Sequence, residues 1–326
     1  MTPRTKKQKN SLRSYRRRQS RLFRPDSAEK FPLSRTKLEQ FIRCRRCFYL
    51  DRRLGIGQPP GFPFNLNSAV DHLLKKEFDG YRERGVPHPL MHDAGIDAIP
   101  APHDQLDEWR NNFKGVRVHH AATNLEIFGA IDDLWITTGD STYAVVDYKA
   151  TSKKDKVNID ADWQKSYKRQ MEIYQWLLRG NGLTVSNTGY FVYCNGKRDR
   201  PGFDSRLEFD IDVIPYKGND DWVEKSIREA HECLMQEEIP STSANCDYCT
   251  YYSFLRNVER VEVDPSGVSS ASTVSSMSQP ETGVEEEPGL FGAARDQKDQ
   301  WNDPQIHEDG QDRANDNMDT ANPEVR

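Results

Sequence analysis

Residues 145–149 read Val-Val-Asp-Tyr-Lys, and fifteen positions before that aspartate another one closes Phe-Gly-Ala-Ile-Asp132. On an extended strand residues i and i+2 point to the same side, so Asp147 and Lys149 share one face of an apolar run. An acid and a base placed where a strand normally packs hydrocarbon are costly unless an ion or ligand offsets their charge. Any fold for this chain has to bring such a compensation to Asp147.

The chain has 326 residues, 35% hydrophobic and 30% charged, enough for one good-sized core. No apolar run approaches the roughly 20 residues of a membrane span, so a soluble, intracellular (cytoplasmic) protein is expected. The net charge of −5 hides an asymmetry between the ends. Residues 1–30 hold eleven Lys and Arg against two acids, and residues 263–326 hold fourteen acids against four Lys and Arg. A mildly acidic average therefore does not exclude a nucleic-acid partner. The segment 1–30 reads as a disordered basic arm suited to phosphate contact, and 263–326 as a disordered Ser-rich, acidic tail. Its one apolar island, Leu290-Phe291, has no assigned role.

Between them, residues 31–262 read as the folded domain. One helix is expected over "LSRTKLEQFIRCRRCFYLDRRLG", started by a Thr36…Glu39 capping box. A second, "LNSAVDHLLKKEFDGYRERG", is capped by Asn67 or Ser68. Strands follow at 115–121, 125–137 and 142–149, then a long helix ending at Gly180, strands "TGYFVYC" and "RLEFDIDVI", and a helix "DDWVEKSIREAHECLMQ". This order predicts an α/β (α+β) fold with a central mixed sheet flanked by helices.

Four of these elements send a polar group to an otherwise apolar face. Asp71 lies on the Leu74/Phe78 stripe of the second helix, with Glu77 a second choice and His72, Lys75, Lys76 and Asp79 on the wet side. Asp132 shares a side with Leu134 and Ile136. Asp147 and Lys149 sit together, and Gln170 falls on the stripe Trp163, Tyr167, Tyr174 and Leu177. Converging carboxylates repel unless protonated or bridged by a cation. Two or three hard oxygen ligands suit Mg²⁺ or Mn²⁺, and a nearby lysine suits an anionic transition state. Metal-assisted hydrolysis of a phosphodiester fits that set.

Gly129-Ala-Ile-Asp132, Asp147-Tyr-Lys149 and Gln170-x-x-x-Tyr174, in this order, resemble the PD-(D/E)XK nuclease superfamily, and most closely its RecB-like branch, over roughly residues 34–255. The resemblance implies a restriction-endonuclease-like core and a deoxyribonuclease, an exonuclease or endonuclease serving DNA repair, recombination or foreign-DNA processing. It implies Asp132, Asp147 and the carbonyl of Tyr148 as Mg²⁺ or Mn²⁺ ligands. Lys149 then activates water and stabilises charge, and Gln170 and Tyr174 hold the site and the DNA backbone. Many RecB-like members carry a histidine ligand in a Gly-x-x-Val-His pattern; here Asn67-Ser-Ala-Val-Asp71 puts Asp71 in that place. The implied substrate is single-stranded DNA or duplex ends. A helicase partner follows by analogy only, since no Gly-x-x-x-x-Gly-Lys-Ser/Thr motif is present. The competing reading is a non-cleaving DNA-binding subunit.

Six cysteines include two Cys-x-x-Cys pairs, Cys44/Cys47 and Cys246/Cys249. Two such pairs read as four thiolates around Zn²⁺ or a [4Fe–4S] cluster. Resemblance to RecB-like nucleases that carry an iron–sulfur cluster tips the expectation towards [4Fe–4S], with zinc the alternative. Cys194 and Cys233 read as ordinary buried thiols.

Overall fold

The alternating runs of the sequence assemble into two sheets, where one central sheet was expected. The computed structural model of the protein describes residues 21–59 and 65–262, with side chains to residue 259. Residues 1–20 and the tail from 263, including Leu290-Phe291, lie outside the described residues. A three-stranded sheet is built from β1 (Phe31–Ser34), β3 (Val116–His120) and β4 (Leu125–Gly129), in the order β1-β4-β3. A five-stranded sheet contains β2 (Ala98–Pro100), β5 (Asp133–Thr137), β6 (Tyr143–Thr151), β7 (Thr188–Gly196) and β8 (Phe209–Lys217), in the order β2-β5-β6-β7-β8. Both are mixed: β1 with β4 and β6 with β7 are parallel, the remaining pairs antiparallel.

The strand expected at 125–137 divides because the chain passes from one sheet to the other at Ala130–Asp132. The helix expected from residue 34 also divides, at Cys44, into α1 (Arg35–Arg43) and α2 (Arg45–Arg52). The Thr36…Glu39 capping box is not used: the N-cap is Ser34, whose hydroxyl accepts the N–H of Lys37 at 3.3 Å. The second helix, α3 (Asn65–Arg84), begins before Asn67 and Ser68, so neither is its cap; Asn67 Nδ2 donates instead to the carbonyl of Ala150 at 3.4 Å. Short helices α4 (Pro89–Asp93) and α5 (Leu106–Trp109) follow. The long helix opens with a 3₁₀ turn at Asp162–Gln164 and continues as α6 (Lys165–Gly180). Beyond β8 come α7 (Asp221–Met235) and α8 (Asp247–Glu262), the last not anticipated as a helix. Among the described residues no helix is long and apolar enough to cross a membrane.

Period-two alternation gives β6 and β7 two working faces. Val145, Phe191 and Tyr193 face α6, whose Met171, Tyr174, Leu177 and Leu178 recur at helical spacing and join the larger core. Val146, Tyr148, Val192 and Cys194 face the other way, packing with Trp135 and with Leu74 and Phe78 of α3. The sheet is thus held between α6 and α3. Phe23, from the segment read as part of the basic arm, is buried in the larger core and stacks edge-on with Phe31 at 5.3 Å.

A polar clamp fastens α3 to the sheet. Asp133, fully buried at the start of β5, accepts from Arg110 Nη2 at 2.8 Å, from Tyr148 Oη at 2.6 Å, and from Arg82. Both arginines also hold Asp79 of α3, and Arg110 Nε donates to the carbonyl of Asp132 at 3.0 Å. Burial alone would lower Arg110, but Asp133 and Asp79 keep its proton on more firmly than usual. Burial, then Asp133, pushes the Tyr148 phenol well up, so it remains a donor. Removing the central anion leaves two largely buried guanidinium groups to share the more exposed Asp79. Asp133→Ala is expected to cost about 3–5 kcal/mol, read from urea unfolding with an unchanged m-value; a loss near zero would show that the clamp is not what joins α3 to the sheet.

Candidate active site

The passage between the two sheets sets the site. Gly129 ends β4, and a Cβ there would lie 2.8 Å from Tyr174 Cε1 and 3.2 Å from Arg35 Cβ. Only glycine lets the Tyr174 ring come this close to the backbone. Three residues on, the buried Asp132 directs Oδ2 at the backbone N–H of Tyr148, 2.9 Å away. That bond ties the sheet crossover to the strand carrying Asp147 and Lys149.

Asp147 is fully buried, with Oδ2 2.5 Å from Lys149 Nζ. Lys149 also donates to Gln170 Oε1 at 3.0 Å, and its Nζ sits 4.1 Å from the centre of the Tyr167 ring. Gln170 Nε2 donates in turn to Tyr174 Oη at 3.1 Å. One helical turn on α6 therefore supplies both groups, the amide acting as the spacer between lysine and phenol. Burial pushes the Tyr174 phenol up to about 12; Arg35 opposes this, and the charges of Asp132 and Asp147 both add to it. The two carboxylates thus act on the same hydroxyl.

Asp71 is partly buried on α3, and Lys75 occupies the space between it and Asp132. Lys75 Nζ lies 2.9 Å from Asp71 Oδ2 and 3.4 Å from Asp132 Oδ1. The expectation that Lys75 and Asp79 belong to the wet face is corrected here, since Asp79 is held by Arg82 and Arg110; for Lys75 the i, i+4 spacing to Asp71 was the available signal. Glu77, the second choice on this helix, is exposed and pairs with His88 Nε2 at 2.9 Å. Tyr148 sends its side chain to the opposite face, into the clamp. Asp133, the sequence neighbour of Asp132, was not anticipated as a buried charge.

Asp71, Asp132, Asp147, Lys149, Gln170 and Tyr174 are thus brought to one place, though not as a closed cage. Among the described residues the four cysteines are the one group of three or more His, Cys, Asp or Glu whose ligand atoms all lie within 4.8 Å. The donor chemistry nevertheless fits a small hard cation held by one or two carboxylates with water completing its shell. Asp71 and Asp132 already converge on a positive charge, the Lys75 ammonium, which stands where two anionic oxygens need one.

The cysteine pairs meet at the opposite end of α1. Cys44 closes α1 and caps α2, accepting the N–H of Cys47 at 3.4 Å. Its Sγ is 3.6 Å from that of Cys249, and Cys47 Sγ is 3.6 Å from Cys246 and 3.8 Å from Cys249. Burial would raise Cys44, but the Cys47 N–H and the neighbouring thiols bring it below the ordinary thiol value. Burial pushes Cys249 up to about 11. The four buried sulfurs form a set able to bind a metal. Cys194 and Cys233 lie elsewhere in the core, each pushed by burial to about 11.

A family model of the PD-(D/E)XK nuclease superfamily matches residues 63–254. The chain belongs to that superfamily. No curated protein matches it. The matched span contains Asp71, Asp132, the Asp147-x-Lys149 pair, Gln170 and Tyr174, together with the second cysteine pair, and leaves Cys44 and Cys47 outside. Superfamily membership implies divalent-metal chemistry on nucleic acid, with DNA as the substrate class.

The Tyr174 shift has a testable sign. Its folded value lies above the ordinary tyrosine value near 10, so the folded chain holds that proton more tightly. The stability it contributes is intact below about pH 10 and falls as pH rises towards about 12. The urea-stability gap between the native chain and Tyr174→Phe should therefore shrink across that range. A gap independent of pH would mean the phenol does not titrate there.

Proposed function

We propose that this protein is a divalent-metal-dependent deoxyribonuclease, an exonuclease acting on single-stranded or end-frayed DNA in repair, recombination or foreign-DNA processing. The observation that carries the reading is the meeting of Asp132, Asp147 and Lys149 in the chain of a nuclease superfamily member, tied together through the Tyr148 N–H, Gln170 and Tyr174.

Asp132 and Asp147 would hold Mg²⁺ or Mn²⁺, with Asp71 and the Tyr148 carbonyl as further oxygen ligands. When bound, the cation supplies Lewis-acid polarisation of the phosphate and lowers the pKa of water. Lys149 is held at the end of a hydrogen-bonded relay, so its charge is pre-aimed and needs no reorganisation as negative charge develops on the phosphate. Gln170 offers Lys149 a second acceptor beside Asp147 and so fixes the direction of its ammonium. Tyr174, protonated at neutral pH, accepts from the Gln170 amide and retains its own proton at the same place. Lys75 balances Asp71 and Asp132, and a lysine in that position also suits the competing reading, a DNA-binding subunit that needs no cation and does not cleave.

Cleavage of end-labelled single-stranded and duplex DNA with Mg²⁺ or Mn²⁺ separates the two. Asp147→Asn and Lys149→Met are each expected to lower the rate by about 10²-fold or more while leaving the fold intact by circular dichroism. Cleavage at the native rate in either variant rejects the mechanism, and DNA binding without cleavage under any divalent metal selects the subunit reading.

For the cysteine centre, zinc is the better fit. Thiolates about 2.3 Å from a tetrahedral zinc stand about 3.8 Å apart, close to three of the six separations between these sulfurs, 3.6–3.8 Å, with all four within 4.8 Å of one another. A four-iron cubane places each cysteine on a different iron and needs them more widely spread. Bridging Cys44 to Cys249 closes most of the domain into a loop, worth on the order of 4–5 kcal/mol by the entropic account. Metal analysis of anaerobically purified protein should return one zinc per chain and a colourless solution. Four irons per chain with brown absorbance would reverse the assignment.

A further inference from the structure

Aromatic rings and lysines alternate outward from Lys149. Its Nζ lies over Tyr167; Tyr167 meets Trp163 edge-on at 5.4 Å; and Lys153 Nζ stands 5.0 Å from the Trp163 ring centre. Trp163 and Tyr167 begin the stripe that continues through Gln170, Tyr174 and Leu177. Unlike those three, both remain partly exposed, Tyr167 while packing one side against the larger core.

The line continues into the loop joining β7 and β8. Lys153 is stitched to Asn195, its N–H donating to Oδ1 at 2.7 Å and its carbonyl accepting from Nδ2 at 3.2 Å. Lys149 lies opposite Tyr193 across the parallel pair, and Gly196 stands three residues, about 10 Å, further along. From there residues 197–208 leave the sheet as a loop closed at its base by Lys197 N–H to the Glu208 carbonyl, 2.8 Å. Its tip is a turn in which Arg206 N–H donates to the Phe203 carbonyl at 2.9 Å, with Asp204 and Ser205 between them both at positive φ, 44° and 57°. Neither is a glycine, so the turn carries conformational cost. It presents Phe203, 73% exposed, beside a cleft of about 690 Å³ bordered by Arg198, Arg200, Arg206 and Leu207. Such a volume accommodates a small ligand or nucleotide.

We infer that Tyr167, Trp163, Lys153 and the 197–208 loop form a track for single-stranded DNA, along which bases stack on Trp163 and Phe203 while Lys153 and Arg198 meet phosphates. The inference deepens the proposed nuclease reading and rests on it for the direction of the track, from Lys149 outward. Sequence-independent strand binding calls for aromatic faces interleaved with cations, because every base has a π-face and every linkage a charge. A duplex hides its base faces in the stack and cannot use those rings without opening. The track therefore selects single strands and frayed ends.

Fluorescence anisotropy tests this on the full-length protein with an oligothymidine of about 16 nucleotides, in Ca²⁺ without Mg²⁺ or Mn²⁺. Phe203→Ala and Trp163→Ala should each weaken binding by about fivefold or more, with Trp163→Phe largely restoring it and a blunt duplex of equal length hardly affected. Phe203 is so exposed that its variant is expected to fold, which keeps the test decisive should Trp163→Ala be unstable. Tighter native binding to the duplex than to oligothymidine, or native affinity in Phe203→Ala, overturns the track. Cleavage assays on the same proteins distinguish the two readings. Loss of strand binding in a chain that never cleaves retires the nuclease and keeps the track. Unchanged binding in a chain that cleaves does the reverse.

Discussion

Asp132 and Asp133 are neighbours in sequence with separate sets of partners, and the rest of the architecture is arranged around that division. Asp133 is spent on Arg82, Arg110 and the Tyr148 phenol, which fix α3 against one face. Asp132 instead takes the Tyr148 N–H and meets Lys75, from the same helix. Arg110 touches both, bonding the side chain of one and the carbonyl of the other. A buried ion pair of this kind is weak evidence for stability and stronger evidence for geometry, since breaking it strands a charge. Here the geometry it secures is the position of Asp132 relative to β6.

Tyr148 couples the two sets of partners. Its backbone faces Asp132 and its phenol faces Asp133, so a shift of β6 along its axis would cost both hydrogen bonds together. The residue between Asp147 and Lys149 acts as a register pin for its neighbours. This gives the middle position of the Asp-x-Lys pattern a physical role of its own in this chain, apart from any oxygen it lends to a cation.

The elements that carry the site were legible because each has a strong local period. Strand alternation put Asp147 and Lys149 together, and helical spacing put Gln170 one turn from Tyr174; the structure keeps both. What local patterns could not reveal was any contact made across elements. Lys75 reads as a wet-face lysine because α3 has only Leu74 and Phe78 buried, a stripe too thin to orient the helix about Asp71. The split at Ala130–Asp132 depends on Gly129 lying against Tyr174, a contact between residues 45 positions apart. The capping box at Thr36 lost to Ser34 because β1 delivers Ser34 directly to the helix start. Spacing identified the cysteine set but carries no distances, and the choice between zinc and iron–sulfur turns on distances.

The two centres make opposite demands on the chain. Four thiols all within 4.8 Å of one another require a rigid, enclosed pocket, and theirs is buried where α1, α2 and the start of α8 meet. The carboxylate site is loosely closed by comparison: a lysine stands between Asp71 and Asp132, and no three carboxylates among the described residues come within 4.8 Å of one another. A site that must admit a phosphate and release a product cannot be packed as tightly as a structural one. The lysine makes such openness affordable, because it neutralises the converging oxygens whenever no other cation does.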